Sequence, residues 1–181
     1  MSYKYLLAVL KAGLVEEFWE DLKTSLVPFM DPGVYGRSTL ENSSFIASSV
    51  NPDPAVRGRG FVARLSGSTA EFLSMWIYMM AGSGPFHLEV GQLAFRLAPK
   101  LPAWLFDEAG EVAFTLLGKT AVTYRNPRRA ATFGENGCRV RSLSLTDAEG
   151  GTLHVQGDTL TGEAAARIRD GGFVSIVAEL D

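Results

Sequence analysis

The chain has 181 residues, 46% of them hydrophobic and 20% charged, with a formal net charge of −3. That suits one globular domain or two small ones, and an acidic balance of this kind attracts neither nucleic acid nor an anionic membrane surface. Cys138 is the only cysteine, so no intrachain disulfide forms, as in a reducing compartment. Met1 to Leu10 lacks the pattern of a signal peptide, and no apolar run reaches the roughly 20 residues of a membrane-spanning helix. The reading is a cytoplasmic protein; the sequon Asn42-Ser43-Ser44 is then a chance match.

Leu6, Leu10, Leu14, Phe18, Leu22 and Leu26 recur every four residues and, with Leu7, Val15 and Trp19, form an apolar stripe. They predict a helix or a broken helix pair, with Gly13 as the break and Pro28, Pro32 and Gly33 as the stop. Asp31 to Gly60 is rich in Ser, Asn, Pro and Gly and predicts ordered loops, pinned to a core by Phe45, Ile46, Val50 and Phe61. Ser68 with Glu71 three residues later is a capping-box pattern, and Gly82 is a helix stop. The helix between them is apolar on nearly every face and is expected to be buried on all sides. One such helix needs several neighbours, and the preceding sequence supplies one or two.

Beyond Gly82 the pattern turns to β. The strand candidates are His87–Val90, Leu93–Leu97, Val112–Leu117, Thr120–Tyr124, Arg139–Leu145, Thr152–Val155 and Val174–Leu180. Gly and Asn-Pro turns separate them. Gly162–Arg169 reads as a short helix stopped by Gly171-Gly172. The expected class is α+β, with residues 1–82 a helical segment and 83–181 a C-terminal β sandwich carrying one short helix.

Few residues are placed for chemistry. His87 and His154 have no companion ligand at metal spacing, and no nucleophile elbow occurs. Glu16, Glu17, Glu20 and Asp21 read as the solvated face of the first helix, and Asp107-Glu108 as a turn. Arg125, Arg128 and Arg129 read as a solvated basic turn or a contact with a partner domain. Arg37, Glu41 and Asn42 form either a loop-holding network or a sugar contact. Arg64-Leu-Ser-Gly-Ser-Thr69 leads into the buried helix. Its free N–H groups, dipole, hydroxyls and Arg64 suit an anion, while Glu71 opposes one. A capped helix with nothing bound is the alternative.

Four stretches carry a resemblance: Tyr35-Gly-Arg-Ser-Thr-Leu-Glu-Asn-Ser-Ser-Phe-Ile46, Gly60-Phe-Val-Ala-Arg-Leu-Ser-Gly-Ser-Thr-Ala70, Trp104-Leu-Phe-Asp107 and Thr123-Tyr-Arg-Asn-Pro127. From about Pro32 onward the chain resembles the C-terminal end of cellobiose phosphorylase-type proteins of glycoside hydrolase family 94, nearest to the branch acting on β-1,2-linked glucose oligosaccharides. The resemblance implies that the helices are the closing segment of an (α/α)6 barrel. The family cleaves β-glucosides with inorganic phosphate to give α-glucose 1-phosphate, so phosphate is a co-substrate and no further cofactor is implied. Phosphate contact carries over to Ser66, Gly67, Ser68 and Thr69. No residue matches the family's general-acid aspartate, so catalytic residues are none and the isolated chain is expected to be inactive. The implied partners are a glucan oligosaccharide, phosphate, and either the missing barrel portion or a homo-oligomer. A carbohydrate-binding or accessory module without catalysis is the alternative, with Trp104, Phe106, Tyr124 and Phe133 as its candidate aromatics.

Overall fold

A computed structural model describes residues 2–40, 43, 45–62 and 68–181. The chain is α+β, as its patterning predicts, and divides into two compact units, Met1–Trp76 and Ile77–Asp181. None of the described helices is long and apolar enough to cross a membrane.

In the first unit, α1 (Ser2–Lys11) and α2 (Val15–Ser25) pack as a hairpin. Gly13 makes the break, with a positive φ of 82° that a side chain would resist. Leu6 and Leu10 of α1 and Phe18, Trp19 and Leu22 of α2 are buried, as their spacing predicts. Leu14 is exposed instead, because the break puts it at the N-cap of α2 rather than on the stripe. A hydrogen bond from Tyr5 to Asp21 (2.8 Å) closes the hairpin, and the bond to Asp21 raises the Tyr5 phenol above its ordinary range. The short helix α3 (Pro32–Tyr35) follows, capped by Asp31 Oδ1 on the Gly33 amide and ended by left-handed Gly36. Strands β1 (Phe45–Ile46) and β2 (Gly60–Phe61) then pair antiparallel.

The expectation that Phe45, Ile46, Val50 and Phe61 pin these loops to a core is wrong: all four are exposed. Main-chain pairing holds the segment instead, with Ala47 donating to Arg59 and Gly58 to Ala47. The helix α4 (Ser68–Ala81) runs where its capping pattern and Gly82 predict. It is not buried all round. Met75, Met79 and Met80 are buried, whereas Leu73 is 56% and Ile77 is 45% exposed. Lying four apart, they leave one apolar stripe of the helix uncovered by the described residues.

In the second unit the last carbonyls of α4, which a helix leaves without internal partners, are taken up by the β region. Met79 O accepts from Lys100 N (2.8 Å), Ala81 O from Ala98 N (3.1 Å), and Met80 O from the Tyr124 hydroxyl (2.6 Å). β3 (Phe86–Glu89), β4 (Gln92–Arg96) and β9 (Thr159–Thr161) form an antiparallel three-stranded sheet. β5 (Glu111–Leu116), β6 (Thr120–Arg125), β7 (Val140–Thr146), β8 (Thr152–Gln156) and β10 (Ser175–Leu180) form a five-stranded sheet in the order β5-β6-β10-β7-β8. β10 runs parallel to β6 and antiparallel to β7. The helix α5 (Glu163–Asp170) packs on β4 and β9 through buried Ala165 and Ile168, and left-handed Gly171 ends it.

The seven predicted strands correspond to β3 to β8 and β10, and the predicted short helix to α5. β9 has no counterpart among the predicted strands. Alternation sorts the five-stranded sheet into two faces. Val122, Tyr124, Leu143, Leu145, Ile176 and Ala178 are buried. The opposite face carries Thr115, Thr123, Ser144, Thr146, His154 and Ser175, all exposed or half-buried. Arg125 lies between Glu111 (2.9 Å) and Glu179 (3.4 Å) at one end of that face.

Candidate functional site

The first two stretches of the resemblance meet in space. Phe45 pairs with Phe61 and Ile46 with Gly60. Beneath them lies Tyr35, which is buried and donates its hydroxyl to Ser43 Oγ (2.8 Å). A Cβ on Gly60 would collide with the Tyr35 ring, so the close approach of chain and ring requires glycine. The Arg59 side chain runs across Gly36. The intervening loop is held by local bonds: Asn51 Oδ1 accepts from Asp53 N (2.9 Å), Asp53 Oδ1 from Ala55 N (2.9 Å), and Arg57 Nε donates to Asn51 O (2.8 Å).

Of the site candidates, Arg37 is half-buried beside this turn. Glu41, Asn42, Arg64, Ser66 and Gly67 lie outside the described residues. Ser68 and Thr69 open α4, and their side chains also lie outside them. Glu71 sits in the first turn of α4, half-buried. Ser43 is the participant that sequence reasoning does not single out. Its partner is eight residues away across a loop, and no local pattern announces such a bond.

Asp107 Oδ1 accepts from Glu111 N (2.8 Å), which makes Asp107-Glu108 a turn. Glu16, Glu17 and Glu20 are exposed. Arg125 is ion-paired on the open sheet face, and its bond to Glu111 raises the guanidinium above its ordinary range. Arg128 reaches Asn136 O (3.4 Å). Among the aromatics, Phe106 and Tyr124 are buried, Phe133 is half-buried, and Trp104 is 45% exposed. His87 and His154 are exposed on different sheets, with Nδ1 of His154 2.9 Å from Ser144 Oγ. Among the described residues no three His, Cys, Asp or Glu side chains gather as a metal would require.

Burial first, then Arg139 and Arg96, hold the Lys100 amine below its ordinary range. Arg96 is itself bonded to Asp158 (2.6 Å). Burial pushes the Asp158 carboxyl up, but bonds from Thr159 and Arg96 outweigh it and leave the carboxyl below its usual range. No protein-family model matches the chain, and no curated protein sequence matches it either.

Proposed function

We propose that this chain supplies the closing helices of an (α/α)6 barrel and the C-terminal β sandwich of a cytoplasmic glycoside phosphorylase resembling glycoside hydrolase family 94. In this reading Ser66, Gly67, Ser68 and Thr69 contact phosphate, and Arg37, Glu41, Asn42 and Arg64 hold the adjoining loop or touch the sugar. The general acid lies on polypeptide outside these 181 residues, so the chain alone catalyses nothing. Phosphate itself is the nucleophile in such a reaction, and one carboxylic acid protonating the leaving oxygen suffices. The observation that carries the reading is the pairing of Phe45 with Phe61 over Tyr35. It draws the two longest stretches of the resemblance, separated by one loop in sequence, into one small platform ahead of α4. The uncovered stripe at Leu73 and Ile77 is also what a barrel helix presents when its neighbours are absent.

The test has two arms. The purified chain, offered β-1,2-glucose oligosaccharides or cellobiose with phosphate, is expected to release no glucose 1-phosphate. Release that vanishes on joint Ser66→Ala and Thr69→Ala substitution would sink the fragment reading. In the second arm, residues 32–181 replace the C-terminal segment of a β-1,2-oligoglucan phosphorylase. The chimera is expected to be active, with a raised KM for phosphate in the same double variant. A folded chimera that is inactive, or indifferent to the double substitution, overturns the proposal.

The second reading is a carbohydrate-binding module. It is favoured by the exposure of Trp104 just after buried Pro102. Glucan binding by the chain that is lost on Trp104→Ala would select it.

A further inference from the structure

β8 is an edge strand of the five-stranded sheet. Its hydrogen-bonding parity follows from its ends. Asp147 N donates to Gly151 O (3.0 Å), and Gly157 N donates to Arg141 O (2.7 Å). In an antiparallel ladder the residues that exchange bonds alternate with those that do not. Gly151, Leu153, Val155 and Gly157 therefore turn their main-chain groups toward β7. Thr152, His154 and Gln156 turn theirs outward, and no described residue outside the strand bonds them. The short contact of His154 Nδ1 with Ser144 Oγ agrees, because opposed residues that do not exchange bonds bring their side chains closer.

Sheets ordinarily protect such an edge with Lys, Pro, a bulge or a covering segment. The opposite edge of this sheet is protected at one end: Asp107 accepts from Glu111 N through its side chain and donates its own N–H to Glu111 O. β8, Thr-Leu-His-Val-Gln, carries no Lys, no Pro and no carboxylate, and four of its five residues are exposed.

We infer that β8 pairs with the β8 of a second copy of this chain, antiparallel and two-fold about His154, joining two five-stranded sheets into one. The strand is its own complement in this register. His154 opposes His154, and Thr152 opposes Gln156, on the open polar face. Leu153, 38% exposed, opposes Val155 on the apolar face, where each covers the other. All three outward N–H groups of each strand find an outward carbonyl across the two-fold axis. A segment of another protein would have to match the same polar-apolar alternation and parity, which a second copy matches by symmetry. The contact is one strand wide and falls short of the ~1,200 Å² of a stable interface, so the dimer is weak. The inference is independent of the phosphorylase reading, whose uncovered apolar stripe lies at Leu73 and Ile77 of α4.

The test is sedimentation of the full chain from about 10 μM to 1 mM, with amide exchange followed at both ends of that range. Concentration-dependent dimerisation is expected, with slowed exchange at Thr152, His154 and Gln156. Pro is tolerated where an edge N–H faces solvent, so His154→Pro leaves the β7–β8 ladder whole. It is expected to weaken association about tenfold or more by removing both central bonds, whereas His154→Ala, which keeps the N–H, does not. A Leu73→Lys, Ile77→Lys variant is expected to dimerise like the parent. A monomer at every concentration overturns the inference. So does an association that His154→Pro leaves intact, or that the α4 variant abolishes. Should His154→Pro fail to fold, the amide exchange of the parent decides alone: dimerisation without slowing at the three outward amides overturns the inference.

Discussion

Replacing Tyr124 with Phe removes one oxygen atom and nothing else from the interior of the second unit. The ring stays in place, still stacked on Phe114 (centroids 5.9 Å apart), so no cavity opens. What is lost is the 2.6 Å bond to Met80 O, in a position where the hydroxyl is fully buried. The carbonyl belongs to the last turn of α4, so no helical N–H replaces the donor. An orphaned buried acceptor costs about 1–3 kcal/mol. At roughly 4–8 °C per kcal/mol for a unit of this size, a loss of about 2 kcal/mol lowers the melting temperature by roughly 10 °C. Urea unfolding monitored by circular dichroism measures the difference directly, with the slope expected to be unchanged. The buried hydroxyl also has a pH signature. Burial pushes the Tyr124 phenol far above its ordinary value of 10.0. A raised folded-state value means that the stability tied to the protonated phenol is fully present below pH 10 and is lost as pH rises above it. The margin of the parent over Tyr124→Phe should therefore be flat from neutral pH to about 10 and shrink beyond. A difference below about 0.5 kcal/mol at pH 7 would refute the claim that this hydroxyl anchors the end of α4.

Gly60→Ala forces a methyl group into the Tyr35 ring. It is expected to destabilise the first unit by about 1–3 kcal/mol, with loss of the Tyr35–Ser43 bond visible as a changed tyrosine environment by NMR; unchanged spectra would contradict the close packing. Asp147 accepts from Arg167 (2.8 Å) and from Gly151 N (2.7 Å), and the Arg167 bond is the main cause holding its carboxyl below the ordinary 3.8. The stability this contributes is present above that value and is lost as pH falls through the lower folded-state one. Melting curves of the parent and Asp147→Asn should therefore differ at pH 7 and converge below about pH 4. A constant gap down to pH 2.5 would exclude the carboxylate as its source.

The elements that were legible in the sequence are those whose signals are local. Gly13 and Gly82 mark helix ends through a backbone conformation only glycine adopts readily, and each β hairpin announces itself by alternation plus a turn. Thr-Leu-Thr, the whole of β9, offers one buried residue, Leu160, too few to show a period. β1 and β2 are two residues each, and their pairing depends on a partner across a loop. The burial expected for Phe45 and Val50 failed for a related reason: apolarity says that a residue prefers cover, and not that the chain brings cover to it. α4 illustrates the same point, its apolar face being plain in the sequence while its covering neighbours are not. The parallel pairing of β6 with β10 is non-local and leaves no mark on either strand. For the candidate site, the loop chemistry of Asp31, Asn51 and Asp53 could be read directly, since Asp and Asn accept from amides two residues on. The closure of Tyr35 beneath Gly60 could not, because it joins two segments that only the folded chain brings together.

The strand order has a consequence for how the molecule is made. β10 is the last of these strands in chain order, yet it lies in the middle of the five-stranded sheet, with the β5–β6 hairpin on one side and the β7–β8 hairpin on the other. Each hairpin can form as soon as it leaves the ribosome, in microseconds, but neither meets the other until residues 175–180 arrive between them. Until then the inner edges of both hairpins stand open. The sheet thus behaves as a gap awaiting its keystone: during synthesis the second unit is held in a half-built state, open to the pairing errors that exposed edges invite, and completion comes in a single late step.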